Sequence, residues 1–312
     1  MMPETEEGWL DVTSAAAAYY IHDKMMSPPP PIPTGLPAID RSMWTWGQRK
    51  GLPRGTYAIV GGASNIGKTQ FGLHLARLAA VSGERAGFVS LDMKKRDALL
   101  RIHQSIVEES AIPSAHWQPD RWKKEYEVAL KDGLIKWRMG ITGDLGIHAV
   151  PYASLEWVRA SLKDGIERGV TYFVVDHLQK IRVDGFGDNQ VAGRAEVISE
   201  MLDNLCDEFD VTIIGLSQLN REASKLRDRT PNMHDLWGGT AMESNASVVI
   251  MLDHSRYARD LKLHHIGRTW VALDKNNMGP KGFEVPIEWD HRTFNLREAM
   301  DDEVHLWPDR KK

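Results

Sequence analysis

Residues Gly62-Ala63-Ser64-Asn65-Ile66-Gly67-Lys68-Thr69 spell the pattern GxxxxGK[ST]. An apolar, β-prone run at 57–60 comes directly before them, and apolar residues from 71 to 79 follow at a spacing typical of a buried helix. A strand, a glycine-rich loop and a helix in this order form the setting in which such a loop binds phosphate. The stretch therefore predicts an α/β protein whose first candidate ligand is a nucleoside triphosphate.

The positions of this loop have separate roles in phosphate binding. Glycine lets backbone N–H groups turn inward around the phosphates, and the start of the following helix adds a partial positive charge. Lys68 is expected to reach the β and γ phosphates, and Thr69 to ligate Mg²⁺. The alternative is a glycine-rich turn with a chance lysine, but the flanking strand and helix favour the phosphate site.

Bulk composition fits a large folded domain. The chain has 312 residues, of which 42% are hydrophobic and 26% are charged, as in an ordinary folded soluble protein. Its net charge is −4, so any site for a polyanion must be a local patch. The single cysteine, Cys206, cannot form an internal disulfide, and no apolar run is long enough to cross a bilayer. We therefore expect a cytoplasmic protein that does not bind membranes.

Strand-like and helix-like segments alternate along most of the chain. Helices are expected to begin near residues 67, 94, 154 and 194, and strand patterns lie at 56–61, 86–91, 147–150, 171–176, 211–217 and 247–252. Such alternation predicts a mainly parallel sheet flanked by helices. Two further strands at 269–274 and 283–289, joined by a turn-rich segment, predict a C-terminal β-hairpin.

The two ends of the chain and one internal stretch differ from this alternating body. Residues 1–33 hold a short helical pattern and a proline-rich spacer, so we assign them to an N-terminal helix and linker. Residues 34–300 form the predicted globular domain, and 301–312 form a tail. A Trp-rich stretch at 111–137 is predicted to be a helical insertion packed on the core, although interleaved aromatic and basic residues also suit stacking on single-stranded nucleic acid.

Three apolar strands end in polar residues, at the edge where an open α/β sheet places its binding site. Asp176 has the form of a strand-end carboxylate that holds Mg²⁺, usually through water. Asp92 is placed to orient or deprotonate an attacking water, or alternatively to cap the next helix. Gln218 closes a third strand, where it can sense the γ phosphate. These side chains should converge on the bound nucleotide.

Six segments of the sequence resemble the successive motifs of replicative DnaB-like hexameric helicases. In chain order they are Thr34-Gly35-Leu36-Pro37-Ala38-Ile39-Asp40, the loop already quoted, Ser90-Leu91-Asp92-Met93, Val174-Val175-Asp176-His177-Leu178-Gln179, Ser217-Gln218-Leu219-Asn220-Arg221 and Lys275-Asn276-Asn277-Met278-Gly279-Pro280. The resemblance covers about residues 34–295 and implies a RecA-like P-loop NTPase core. It also implies ATP and Mg²⁺ as cofactors, a homo-oligomeric ring, usually of six subunits, and single-stranded DNA in the central channel.

Two positions depart from the family's pattern. The family usually carries glutamate where this chain has Asp92. The aspartate side chain is shorter, so its carboxylate does not reach as far as that of glutamate. The family also places a lysine and, two residues later, an arginine that reaches into the neighbouring subunit's nucleotide. This chain keeps Lys275 but has Asn277 at the second position. Because such an arginine supplies about 10³ to 10⁵ in rate, the resemblance implies either slow hydrolysis or a ring that relies on Lys275.

Two loops after core strands are expected to face the channel of such a ring. One spans 182–194, and the other spans 220–234 after Gln218 and carries four basic residues and two acidic ones. Basic side chains on a mobile loop suit phosphate contacts that do not depend on sequence, whereas a solvated surface loop is the alternative. The candidate nucleic-acid contacts are Arg182, Arg194, Arg221, Lys225, Arg227 and Arg229.

The sequence as a whole predicts an ATP-hydrolysing DNA helicase or translocase that acts on single-stranded DNA in replication and is weak or partner-stimulated. Two alternatives are an ATP-dependent DNA-binding or loader protein that does not unwind, and a recombinase-like protein that forms filaments. A primase or a loader is the expected protein partner, and 9–26 is the candidate contact with a neighbouring subunit, a disordered tail being the alternative. The catalytic candidates are Lys68, Asp92, Gln218 and Lys275.

Overall fold

The chain forms alternating strands and helices in the order that the sequence predicts. A computed structural model describes residues 30–43, 51–107, 111–187, 189–220, 222–223, 230–253, 266–290 and 292–299. Its helices are α1 (Pro37–Ser42), α2 (Lys68–Val81), α3 (Lys95–Ile106), α4 (Glu125–Gly140), α5 (Leu155–Glu167), α6 (Val191–Phe209) and α7 (Thr240–Glu243). Its strands are β1 (Tyr57–Gly62), β2 (Arg85–Ser90), β3 (Asp144–Ala149), β4 (Tyr172–Asp176), β5 (Thr212–Gln218), β6 (Val248–Asp253), β7 (Ile266–Asn276), β8 (Phe283–Asp290) and β9 (Asn295–Glu298).

All of these strands join one nine-stranded sheet in the order β3-β2-β4-β5-β1-β6-β7-β8-β9. Neighbours from β3 to β6 in this order are parallel, so the expected mainly parallel sheet is confirmed. β7 and β8 form the predicted hairpin, with Ile266 opposite Asp290 and Leu273 opposite Phe283. β9 extends the antiparallel part and was not predicted, because four residues are too few to show an alternating pattern.

The sheet is covered on both faces, which explains why its central strand is apolar throughout. Every residue of β1 is buried. Ala58 and Val60 join one apolar cluster together with α2, whereas Tyr57 and Ile59 join a second cluster together with α5 and α6. Successive side chains of a strand point to opposite faces, so the two clusters are the two layers of the core.

The Trp-rich insertion packs beside this core. Tyr126 of α4 is buried with Val107 and Ile112 in a small separate cluster, and two partly buried tryptophans pack against it. The rings of Trp122 and Tyr126 meet edge to face at a centroid distance of 5.7 Å. Aromatic rings that pack on one another in this way favour the predicted core packing over the alternative, a stacking platform for single-stranded nucleic acid.

Several predictions concern parts of the chain outside the described residues. The candidate helix at 9–26 and the tail at 301–312 both lie there. Among the residues that the structure does describe, none of the helices combines the length and the apolar character that crossing a bilayer requires.

Candidate phosphate-binding site

The glycine-rich loop connects the end of the central strand β1 to the start of the 14-residue helix α2. Gly67 has φ of +103°, a left-handed backbone conformation that L side chains rarely adopt, and a Cβ placed there would lie 3.4 Å from the ring of Trp289. As the residue before the helix it has no side chain to bond the first N–H groups. The start of α2 therefore presents backbone donors and the positive end of its dipole to the loop.

Lys68 folds back over this loop. Its ammonium donates hydrogen bonds to the carbonyl oxygens of Gly62 at 3.0 Å and Ala63 at 2.7 Å. The residue is 6% exposed, and burial lowers the pKa of its side chain to about 8, an effect that the nearby carboxylate of Asp176 opposes. A partly desolvated cation beside uncapped helix donors is a site suited to a polyanion, because the anion would compensate the buried charge.

This burial predicts how stability should depend on pH. The pKa of Lys68 in the folded chain lies near 8, below its ordinary value of 10.5, so between these values the unfolded chain binds more protons than the folded one. The free energy of unfolding should therefore rise with pH across this interval, by up to about 3 kcal/mol. Urea titrations of the ligand-free protein and of Lys68→Met at pH 7 to 10.5 test this. The rise should be smaller in the variant, and equal rises would contradict the assignment.

Asp176 ends β4 and lines the same cleft as the lysine of the loop. Its carboxyl group is almost fully buried, and its Oδ2 has no hydrogen-bond partner among the described residues. Its Oδ1 lies 3.7 Å from Nδ1 of His177. An unpartnered buried carboxylate oxygen and the hydroxyl of Thr69, which lines the cleft as well, are ligands of the kind that Mg²⁺ prefers. The residues present thus fit the metal that the sequence predicts.

Asp92 lies after the end of β2 and is half exposed. Its Oδ1 is 3.1 Å from the ammonium of Lys180, and its Oδ2 is 4.0 Å from Nδ1 of His177. Helix α3 begins at Lys95 with Lys94 as the preceding residue, and no side chain in the described parts of the chain caps it. The alternative role of Asp92 as a helix cap is therefore wrong.

Gln218 at the end of β5 completes the group. Its Nε2 is 3.4 Å from Nε2 of His177, and its backbone carbonyl accepts hydrogen bonds from the side chain of Gln179 at 3.3 Å and from the backbone N–H of Trp237 at 2.8 Å. Sequence reasoning gave His177 and Gln179 no role. Their position directly after the strand-end Asp176 was the available signal.

The predicted strand-end residues thus converge. They surround a cleft of ≈ 520 Å³, open to solvent, at the carboxyl ends of the parallel strands. It is lined by Ser64, Asn65, Gly67, Lys68, Thr69, Gln70, Asp92, Met93, Lys94, Asp97, Arg101, Asp176, His177 and Gln218. Such a carboxyl-end crevice is where open α/β sheets bind their ligands.

Lys275 is not among the residues that line this cleft. Its ammonium donates to the carbonyl oxygens of Glu243 at 3.0 Å and Ser244 at 3.2 Å, at the end of α7. Asn277 is exposed at the turn between β7 and β8. Lys275 is therefore held by its own chain at a place where it does not contribute to its own chain's phosphate loop.

The six candidate nucleic-acid contacts have different surroundings. Arg182 is exposed and lies 5.7 Å from the ring centre of Tyr152. Arg194 donates to the carbonyl of Ile181 at 2.9 Å and lies over the ring of Trp237 at 5.4 Å. The remaining four lie outside the described residues: Arg221, Lys225, Arg227 and Arg229.

Two curated replicative helicases are similar to this chain in sequence. The chain is 27% identical over 287 residues to the replicative DNA helicase DnaB of Geobacillus stearothermophilus, covering 89% of this chain and 59% of that protein. It is 25% identical over 281 residues to the replicative DNA helicase DnaC of Bacillus subtilis strain 168, covering 87% and 58%. The chain thus spans less than two thirds of the length of these relatives.

Solved structures show the same fold. A structure described as an ATPase domain superposes with a TM-score of 0.72 at 20% identity and covers 93% of this chain and 100% of that chain. A DnaB-like replicative helicase, described with its primase interactions, superposes with a TM-score of 0.71 at 19% identity and covers 92% and 68%. The expected RecA-like α/β fold is thereby confirmed.

The family model described as the DnaB-like helicase C terminal domain matches residues 31–298. That match covers the glycine-rich loop, every strand of the sheet and the whole cleft. The chain therefore belongs to the DnaB-like helicase C-terminal domain family.

Proposed function

We propose that this chain is an ATP-driven motor that moves on single-stranded DNA during replication, as a ring of identical subunits. The observation that carries the proposal is the convergence of Lys68, Asp92, Asp176 and Gln218 on one cleft at the mouth of the glycine-rich loop. A lysine and helix donors suit phosphate, and a strand-end amide beside them suits detection of the terminal phosphate. Membership of a helicase family supports the same function.

We assign each residue of this cleft a separate role. The backbone of 62–67 and Lys68 would bind the phosphates, and Thr69 and Asp176, which both line the cleft, would hold Mg²⁺. The metal ion, when bound, neutralises charge on the phosphate oxygens. Asp92 orients or deprotonates the attacking water.

Gln218 would report the state of the terminal phosphate to the loop that follows β5. Its side chain lines the cleft, and its backbone carbonyl is bonded to Trp237 on the far side of that loop. The basic candidates of this second loop would then contact DNA phosphates, as would Arg182, whose side chain is exposed. Loss of the γ phosphate is thereby coupled to DNA contact.

Lys275 would act on the nucleotide of a neighbouring subunit. In its own chain it is bonded to the end of α7 and does not line the cleft, so a ring is needed to bring it to a phosphate. Asn277 is neutral and cannot supply the charge of the family's arginine. We therefore propose that the ATPase is weak alone or requires stimulation by a partner such as a primase or a loader.

ATP hydrolysis with and without single-stranded DNA, paired with a mass measurement of the assembly, tests this function. We expect slow ATP hydrolysis that single-stranded DNA stimulates, and an assembly mass that corresponds to a ring of several subunits. In Lys275→Ala the hydrolysis rate should fall at least about tenfold. When the Lys275→Ala variant is mixed with the unmodified chain, ATP hydrolysis should fall by more than the reduced fraction of unmodified chain explains. The reason is that mixed rings place a defective neighbour beside an intact cleft. Brisk hydrolysis by a monomer, unaffected by Lys275→Ala, would refute both the ring and the trans-acting lysine.

A second candidate function is an ATP-dependent DNA-binding or loading protein that does not unwind. Asn277 favours it, since a neutral side chain at the exposed turn leaves less charge for the transition state of a neighbour. A strand-displacement assay on a forked duplex separates the two. Displacement that requires ATP hydrolysis supports the motor, whereas ATP-dependent binding without displacement supports the loader.

A further inference from the structure

A lysine outside the family motifs contacts the candidate base of the reaction. The ammonium of Lys180 lies 3.1 Å from Oδ1 of Asp92, and its side chain is only 24% exposed. Lys180 belongs to the short 3₁₀ turn Leu178–Lys180 after β4, whereas Asp92 follows β2, the neighbouring strand. The ion pair thus joins the ends of two adjacent strands at the rim of the cleft.

We propose that Lys180 is a positioning residue for ATP hydrolysis, which holds the short carboxylate of Asp92 in one orientation toward the cleft. This inference rests on the proposed function, because it assigns a role in the same reaction. Lys180 does not itself line the cleft, so it acts through Asp92.

The exposure of Asp92 explains why such support is needed. Its side chain is 52% exposed and lies in a turn, where a free carboxylate would sample several rotamers. With Oδ1 fixed by the ammonium, Oδ2 is left toward His177, which itself lines the cleft. A catalytic group held near its working geometry loses less rate to misplacement than one that moves freely.

Lys180 is in turn fixed by Tyr152. The ammonium lies 4.4 Å from the centre of the tyrosine ring and donates to its hydroxyl oxygen at 3.1 Å. These contacts and the carboxylate of Asp92 raise the pKa of Lys180, so the lysine stays charged near neutral pH. The backbone of Tyr152 has φ of +58°, which is costly for a residue with a side chain, and its N–H lies 3.4 Å from the carbonyl of Leu91 beside Asp92.

The chain offers a matched control for this arrangement. Lys163 also pairs with a carboxylate, that of Glu208 at 3.9 Å, and lies 5.3 Å from the ring centre of Phe209. Neither Lys163 nor these two partners line the cleft. Lys163→Met therefore removes the same kinds of contact without a change at the site.

Steady-state ATP hydrolysis by the full chain with single-stranded DNA tests the proposal. We expect Lys180→Met to lower kcat about tenfold to a hundredfold while KM for ATP stays within about twofold. Lys180→Arg should restore most of the rate, and Tyr152→Phe, which keeps the ring and removes the hydroxyl, should show a smaller loss. Lys163→Met should hydrolyse ATP like the unmodified chain.

A double-mutant cycle with Asp92→Ala shows whether Lys180 acts through the carboxylate. If it does, Lys180→Met should have little further effect in the Asp92→Ala background. Additive losses, or equal rates for Lys180→Met and Lys163→Met, would overturn the inference. If circular dichroism shows that Lys180→Met does not fold, the same comparison of hydrolysis rates can be made with Tyr152→Phe and Lys180→Arg.

The same measurements separate this inference from the function on which it rests. An unmodified chain that binds and hydrolyses ATP but is insensitive to the Lys180 variants overturns the positioning role alone. An unmodified chain that neither binds a fluorescent ATP analogue nor hydrolyses ATP overturns the proposed function, and the role of Lys180 with it.

Discussion

Lys68→Met should remove nearly all ATP hydrolysis while the fold stays intact. The ammonium of Lys68 is the one positive side chain at the centre of the described glycine-rich loop, and its loss removes charge stabilisation of the transferring phosphoryl group. Loss of one such preorganised group costs about 10²- to 10³-fold in kcat. Because burial lowers the pKa of this lysine to about 8, its removal should leave the melting temperature equal or higher.

Three measurements check this expectation: the hydrolysis rate, the affinity for an ATP analogue, and the thermal melt. Lys163→Met serves as the control, since it removes an exposed lysine remote from the cleft. A variant that melts normally and still hydrolyses ATP within about threefold of the unmodified chain would show that the loop is not the phosphate site.

Asp176→Asn should be almost as damaging to activity, again without a loss of stability. The substitution keeps the shape of the side chain and removes the charge that would hold Mg²⁺, so kcat should fall by at least about 10²-fold. The half-saturating Mg²⁺ concentration should also rise. Asp176 is 1% exposed and its Oδ2 lacks a described partner. Removal of this incompletely hydrogen-bonded buried charge should offset the loss of its attraction to Lys68.

Another buried carboxylate provides a contrast. Glu84 is 2% exposed, but it is paired with Arg54 and accepts a hydrogen bond from Thr171 at 2.5 Å. Glu84→Gln should therefore destabilise the protein by about 1–3 kcal/mol and leave the Mg²⁺ requirement unchanged. If Asp176→Asn instead melts early and keeps its Mg²⁺ dependence, Asp176 is a structural acid and not a metal ligand.

Much of the fold follows from local pattern. The glycine-rich loop located β1 and α2, and alternation of strand and helix predicted a mainly parallel sheet, because both signals are short-range. The strand order was not predictable in this way. β1 pairs with β5 and β6, and the register that places Gly62 beside Gln218 depends on packing between segments far apart in the chain.

Some residues of the candidate site were likewise predictable from local sequence pattern, and others were not. Asp92, Asp176 and Gln218 were predicted because polar residues at strand ends meet at one edge of a parallel sheet. Lys180 and Tyr152 were missed, since each follows a strand at a distance where no motif assigns a role, and their meeting with Asp92 depends on adjacency of β2, β3 and β4. Lys275 was predicted only through family resemblance. In its own chain it does not line the cleft, so no local sequence pattern connects it to the phosphate loop.

The C-terminal strands also support the phosphate loop directly. Trp289 of β8 lies against Gly67, and the side chain of Gln70 donates to the backbone carbonyl of Phe294, 224 residues further along the chain. During synthesis on the ribosome, this loop therefore leaves the exit tunnel long before its supporting strands exist. Nascent chains should become able to retain a nucleotide only after residue 294 has left the tunnel, and contacts between segments so far apart in the chain should make refolding slow.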